Sequence, residues 1–115
     1  MYTYTMLDRD RLELEEICIL LVLLREPTHG YQVVKTLEEQ GLLSRSATQV
    51  YRKLRDMEKE GLLECSWEVE EGRRPRKVYR LSSRGRDFLQ SCCRETLNYL
   101  ERARAFIESN LRKEV

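Results

Sequence analysis

Two stretches of this 115-residue chain carry side chains suited to holding a run of phosphates. In EGRRPRKVYRLSSRG, residues 71–85, Arg73, Arg74, Arg76 and Lys77 crowd around Pro75. In SATQVYRKLR, residues 46–55, Ser46, Thr48, Gln49, Tyr51, Arg52 and Arg55 offer hydroxyl, amide and guanidinium groups. Guanidinium and ammonium groups make charge-assisted bonds to phosphate oxygens, while glutamine matches the edge of adenine and arginine that of guanine. Gln49 and Arg52 are both suited to a base edge, and the sequence leaves open which one reads it. A basic turn taken alone is more often a solvated loop, so the elements that hold these residues decide what they do.

Other chemistries find little support. No nucleophile stands beside a base, no carboxylate pair is poised, and no glycine-rich loop leads to a lysine, so an enzyme is not expected. His29 is the one histidine, and Cys18, Cys65, Cys92 and Cys93 lack CxxC spacing, a poor ligand set for a metal or a metal-responsive switch. No cofactor is expected. Cys92 and Cys93 read as interface packing and Cys18 as a small core residue.

With 21 Lys+Arg against 20 Asp+Glu the net charge is only +1, so any attraction to nucleic acid comes from local patches. The length suits a single domain with a modest core, which makes a partner subunit valuable. The longest apolar run, Ile17 to Leu24, is too short to span a bilayer, which takes about 20 residues, and no charged leader precedes it. A reduced, cytoplasmic protein with no membrane partner is expected.

The apolar run ending at Glu26-Pro27 predicts a first helix from about Leu12 to Arg25. Thr28 reads as the cap of a second, in which Tyr31, Val34 and Leu37 form a buried stripe before Gly41. Val50, Leu54 and Met57 predict a third helix capped by Ser46 and stopped at Gly61, with Lys53 on its outer surface among the polar residues. Alternation through Leu63, Cys65, Trp67 and Val69, resumed after a loop at roughly 71–76, predicts two short strands, with Trp67 as packing. From about residue 83 to 112 the rhythm of Leu89, Cys93, Leu97, Leu100, Ala103, Ile107 and Leu111 predicts one long helix. It outruns the small domain, so its stripe calls for a second copy of the chain.

Helix, helix, helix, hairpin is the order of a winged helix-turn-helix. The expected fold is therefore mainly α with a small β hairpin: an arm over 1–11, a winged helix-turn-helix over 12–82, and a dimerisation helix over 83–115. In that order the third helix enters the major groove of duplex DNA and the basic turn lies along the neighbouring backbone. A winged-helix module that docks on a protein without specific DNA binding is the rival. His29 reads as a helix-start residue and Tyr31 as core.

ILLVLLREPTHGYQVVKTLEEQG, LLSRSATQVYRKLRDMEKEGLL and WEVEEGRRPRKVYRLSSRGRDFL, taken in this order, resemble the first helix with its His-Gly-Tyr turn, the recognition helix and the wing of the PadR-like transcriptional regulators. The resemblance runs from about residue 12 to 90. It implies a cytoplasmic homodimeric repressor that holds an operator and releases it on a small-molecule effector or metabolic signal. The chain departs from the family pattern at Leu12-Glu13-Leu14-Glu15, at Ala47-Thr48 and at Gly72-Arg73-Arg74, the last making the wing more basic.

Overall fold

The computed structural model describes residues 9, 11–43 and 46–114. The elements run α1 (Leu14–Arg25), β1 (Thr28–His29), α2 (Gly30–Glu39), α3 (Ala47–Lys59), β2 (Leu63–Glu68), β3 (Arg76–Leu81) and α4 (Ser83–Glu114). The described part is mostly helical with one small antiparallel sheet, as expected for a winged helix-turn-helix with a long last helix.

α1 starts two residues later than the apolar pattern suggested. Glu13 takes the cap position, and its backbone N–H donates to Glu16 Oε1 at 2.9 Å, while Glu15 and Glu16 lie at the positive end of the helix dipole. Both α2 and α3 end in the same way. Leu42 N–H reaches Leu37 O at 2.8 Å and Leu62 N–H reaches Met57 O at 2.9 Å, each across a glycine at positive φ, Gly41 at 69° and Gly61 at 82°. Only glycine adopts that conformation without strain, so these two residues stop the helices and aim the chain onward.

The sheet has one strand more than the hairpin expected. Thr28 and His29 pair with Tyr79 and Val78, giving the order β1-β3-β2. Thr28 is therefore a strand residue, and His29 stands at the cap position of α2. The physical reason is the open edge of β3, whose backbone donors and acceptors are satisfied by the turn between α1 and α2.

In the hairpin, Leu63 faces Leu81, Cys65 faces Tyr79 and Trp67 faces Lys77. Leu63, Tyr79 and Leu81 are buried against the helices. Trp67 shares their side by period two yet is 61 % exposed, because the hairpin has left the core by that point. The expectation that Trp67 packs is corrected accordingly.

One core gathers Ile19, Leu20 and Leu23 of α1, Val33 and Leu37 of α2, Val50, Leu54 and Met57 of α3, the inward sheet residues, and Leu89 and Cys92 of α4. Each fully buried side chain of this kind contributes ~1.5–3 kcal/mol relative to exposure. α4 is seated by Ser82: its hydroxyl donates to Gly61 O at 2.7 Å and accepts from Gly85 N–H at 2.9 Å. A Cβ on Gly85 would fall 2.0 Å from Leu62 O, so glycine is what lets helix and hairpin meet.

Beyond that seat the 32-residue helix, about 48 Å long at 1.5 Å per residue, projects from the domain and stretches the described molecule to 63 Å. Leu89, 2 % exposed, and Cys92 are used inside the chain's own core, and Cys93 is half-buried against it. Leu97, Leu100, Ile107 and Leu111 stand exposed, and Ala103 is intermediate. Of the seven residues expected on the helix's pairing stripe, only the later ones are free to meet a partner.

Candidate nucleic-acid interface

α3 divides cleanly into two faces. Val50, Lys53, Leu54 and Met57 are buried, and Ser46, Thr48, Tyr51, Arg52 and Arg55 are exposed. Gln49 is half-buried and accepts a hydrogen bond from Arg52, so amide and guanidinium are presented as one unit. Ser46 holds the cap position without a side-chain bond to the helix, which leaves its hydroxyl available.

Lys53 is not on the outer surface, a correction to the sequence reading. Its Nζ donates to Glu13 Oε1 at 2.6 Å, and its side chain is only 10 % exposed. Positions 50, 53, 54 and 57 form one helical stripe, so the spacing alone carried this signal and the charge obscured it. Arg9 braces the same junction, reaching Glu16 at 2.8 Å and Glu60 at 2.7 Å. Burial opposes the charge on Arg9, but Glu16 and Glu60 outweigh it and hold the guanidinium above its ordinary pKa; burial pushes Glu60 up, against the pull of Arg9. The recognition helix is thus tied to the start of α1 by ion pairs as well as by packing.

Wing cations already have company. Arg73 pairs with Glu70 at 3.2 Å, Arg76 with Glu68 at 2.6 Å, and Lys77 with Glu58 at 2.8 Å. Arg74 is exposed and has no ion-pair partner among the described residues. Glu58 also accepts from Cys65 Sγ at 2.8 Å, and the bonds from Cys65 and Lys77 hold its carboxyl below the usual range. The same contact pushes Lys77 and the Cys65 thiol upward. The base of the wing is thereby fastened to the last turn of α3.

Between α3 and the wing lies a recess of about 400 Å³. Tyr51 and Arg55 come from α3, Arg76, Lys77 and Tyr79 from β3, and His29, Gly30 and Tyr31 from the start of α2. Arg76 Nη1 lies 3.2 Å from His29 Nε2, and the rings of His29 and Tyr31 stack with centroids 6.3 Å apart. A Cβ at Gly30 would fall 2.5 Å from the Tyr51 ring, so this glycine sets how closely α2 approaches α3. Tyr31, expected in the core, is 64 % exposed.

The fold therefore gathers Tyr51, Arg55, Arg76 and Lys77, presents Ser46, Thr48, Gln49 and Arg52 further up α3, and leaves Arg73 and Arg74 at the turn of the wing. His29 and Tyr31 join the site without having been assigned to it. A glycine between two rings at a helix start signals a close backbone approach, the clue that could have found them.

A second cleft, about 600 Å³, lies between α1 and α2 and is lined by Cys18, Leu21, Arg25, Gln32 and Thr36 among others. Among the described residues no three His, Cys, Asp or Glu side chains are grouped to hold a metal ion, and no helix is long and apolar enough to cross a membrane.

Comparison with known proteins gives the same architecture. A structure of a PadR family transcriptional regulator from Eggerthella lenta DSM 2243 is 33% identical, with a TM-score of 0.67 over 78% of this chain and 80% of that one. The smu.1704 protein of Streptococcus mutans UA159 superposes with a TM-score of 0.73 at 24% identity, covering 94% of each chain. Bacillus subtilis PadR, solved in complex with operator DNA, shares the fold with a TM-score of 0.63 at 21% identity, over 69% of this chain and 46% of that one. A search of curated proteins returns no match. The family model described as the transcriptional regulator PadR-like family matches residues 19–91, from α1 through the recognition helix and wing into α4. This chain belongs to that family.

Proposed function

We propose that this protein is a sequence-specific DNA-binding regulator that acts as a homodimeric, cytoplasmic repressor and leaves its operator on a small-molecule or metabolic signal. The observation that carries the reading is the polar outer face of α3 beside a basic wing. Thr48, Gln49, Arg52 and Arg55 present groove-reading groups on a helix whose other face is fully committed to the core. α3 enters the major groove, Gln49 or Arg52 contacts a base edge, and Ser46, Tyr51 and the wing cations hold phosphates. Phosphate contacts supply most of the affinity, and the helix supplies the choice of sequence.

Dimerisation rests on the exposed stripe of Leu97, Leu100, Ile107 and Leu111 on the projecting part of α4. Two copies joined there carry two recognition helices to half-sites about 34 to 36 Å apart. An effector acts only by binding more tightly to a protomer arrangement that fits DNA poorly. The family membership and the operator-bound relative support the DNA reading.

A second reading, docking on a protein partner, draws on the pairing of Arg73, Arg76 and Lys77 with carboxylates of the same chain, which lowers the charge offered to DNA. Fluorescence anisotropy separates the two. The fragment upstream of the protein's own gene is titrated beside a shuffled duplex at two salt concentrations, with an Arg73→Ala/Arg74→Ala variant in parallel. Tighter binding to the upstream fragment, weakened by salt and by the variant, is the expected result. Equal or absent binding to both duplexes removes specific recognition of that fragment and favours the docking module or an operator elsewhere.

A further inference from the structure

We propose that the cleft between α1 and α2 binds an uncharged amphipathic small molecule, one with an apolar body and hydroxyl or carbonyl groups along one edge. Its use as the signal that frees DNA rests on the function proposed above, whereas the binding itself stands on the geometry of the cleft.

At about 600 Å³ the cleft has the size of a small-molecule site. Part of its lining is apolar. Leu21 and Val22 come from α1, and Leu42 from just beyond α2, with Leu21 left 39 % and Leu42 46 % exposed. Covering that surface is a source of affinity. The polar part has a regular origin: Gln32, Thr36 and Gln40 recur every four residues and so stand in a row along one flank of α2. Gln32 Nε2 donates to Thr36 Oγ1 at 3.2 Å, which leaves the Gln32 carbonyl oxygen, its second amide proton and the Thr36 hydroxyl proton for a ligand. A row that both donates and accepts suits hydroxyl, carbonyl or amide groups.

Charge narrows the class. Among the described residues the lining carries Arg25 and Glu26, one of each sign, both exposed at the C-terminal end of α1. Cys18 lines the cleft as a neutral thiol, because burial and then the charge of Glu15 push its pKa up. The lining thus offers no net charge to offset the hydration that a carboxylate or an ammonium gives up on entering. No residue of the lining belongs to the recess beside the wing or to α3, so an occupant does not compete with DNA for contacts. Its two walls are instead the supports of the recognition helix. Glu13, at the start of α1, holds Lys53, and Gly30, at the start of α2, meets the ring of Tyr51. A molecule that changes how α1 and α2 meet therefore shifts the seat of α3.

The test uses the full chain labelled with nitrogen-15 and titrated with benzyl alcohol, benzoate or benzylammonium, probes that share an apolar body and differ in charge. The side-chain amide resonances of Gln32 and Gln40 are expected to move and saturate with benzyl alcohol in the millimolar range, and about fivefold more weakly with either ion. Thr36→Phe, which fills the cleft, is expected to abolish the response, and Leu21→Gln, on the exposed side of α1, to weaken it about threefold. Unchanged thermal melts establish that the variants fold, and Leu21→Gln decides alone if Thr36→Phe does not fold. No saturating response in the unaltered chain, or one that both substitutions leave intact, overturns the site. Equal or tighter binding of either ion overturns the uncharged class.

Repeating the benzyl alcohol titration with the upstream duplex bound tests the regulatory half. An occupant that weakens DNA binding is itself weakened by DNA to the same degree, so a rise of about fivefold in its dissociation constant is expected. An unchanged constant overturns the cleft as the place where the signal acts. If the unaltered chain binds neither duplex, recognition of that fragment fails while the alcohol titration still decides the cleft.

Discussion

At the scale of single residues, the least replaceable positions are those where backbone meets backbone. Gly85 lets α4 pass over Leu62, and an added methyl would meet the Leu62 carbonyl oxygen at 2.0 Å, a clash that side-chain rotation cannot relieve. Gly85→Ala is expected to lower stability by about 3 kcal/mol in urea unfolding, at the upper end of ordinary overpacking. Ser82→Ala, which removes the cap of α4 and the bond to Gly61, is expected to cost about 1 kcal/mol in the same experiment. Lys53 and Arg55 give the contrast of role: two residues apart, one is tied to Glu13 beneath α3 and the other faces the recess.

At the scale of elements, wing and recognition helix are held to each other by charge. Glu58 receives bonds from Cys65 and Lys77 that keep its carboxyl below the ordinary range. A carboxylate held low binds fewer protons folded than unfolded, so its stabilising contribution is complete above the unfolded value of about 4.3 and drains away as the pH falls through the lower folded value. Urea unfolding from pH 7 to pH 3 is therefore expected to show less loss below about pH 4 in Glu58→Gln than in the unaltered chain. The outer face of the hairpin makes a different prediction. Glu68 holds Arg76 at 2.6 Å with both side chains about half exposed, so each phosphate contact by Arg76 competes with this pair. Glu68→Gln is expected to tighten binding to upstream and shuffled duplexes alike by up to about fivefold, the range of an exposed ion pair. Anisotropy reads this directly, and equal gain on both duplexes would make Glu68 a brake on indiscriminate binding.

At the scale of the whole molecule, α4 does two jobs in succession. Its first turns complete the core through Leu89 and Cys92, and its later turns carry Leu97, Leu100, Ile107 and Leu111 into solvent. An apolar stripe of this length on a projecting helix fits a second copy of the chain with the same stripe. Leu97→Asp/Ile107→Asp leaves the core untouched and is expected to sediment as a monomer. Its affinity for the upstream duplex is expected to fall about a hundredfold, because the second recognition helix no longer binds as part of the same molecule.

Local rules made much of this readable from the residues alone. Gly41 and Gly61 ended their helices because a left-handed turn needs glycine, and the apolar rhythm of α3 and α4 gave their lengths to within two residues. The order of elements, and with it the winged helix-turn-helix, followed from those signals. What only the tertiary structure decided had no local signature. Two residues, Thr28 and His29, are too few to announce a strand; the unpaired edge of β3 makes them one. Burial of Lys53 depended on Glu13, forty residues away, supplying its counter-charge. Leu89 belongs to the same rhythm as Leu97, and only the seat at Ser82 and Gly85 decides that the first is core and the second is free. The recess joins α2, α3 and β3, and no spacing along one element can reveal where three elements converge. Sequence periodicity reports which face of an element avoids water, whereas the partner that covers that face is fixed by how the elements pack.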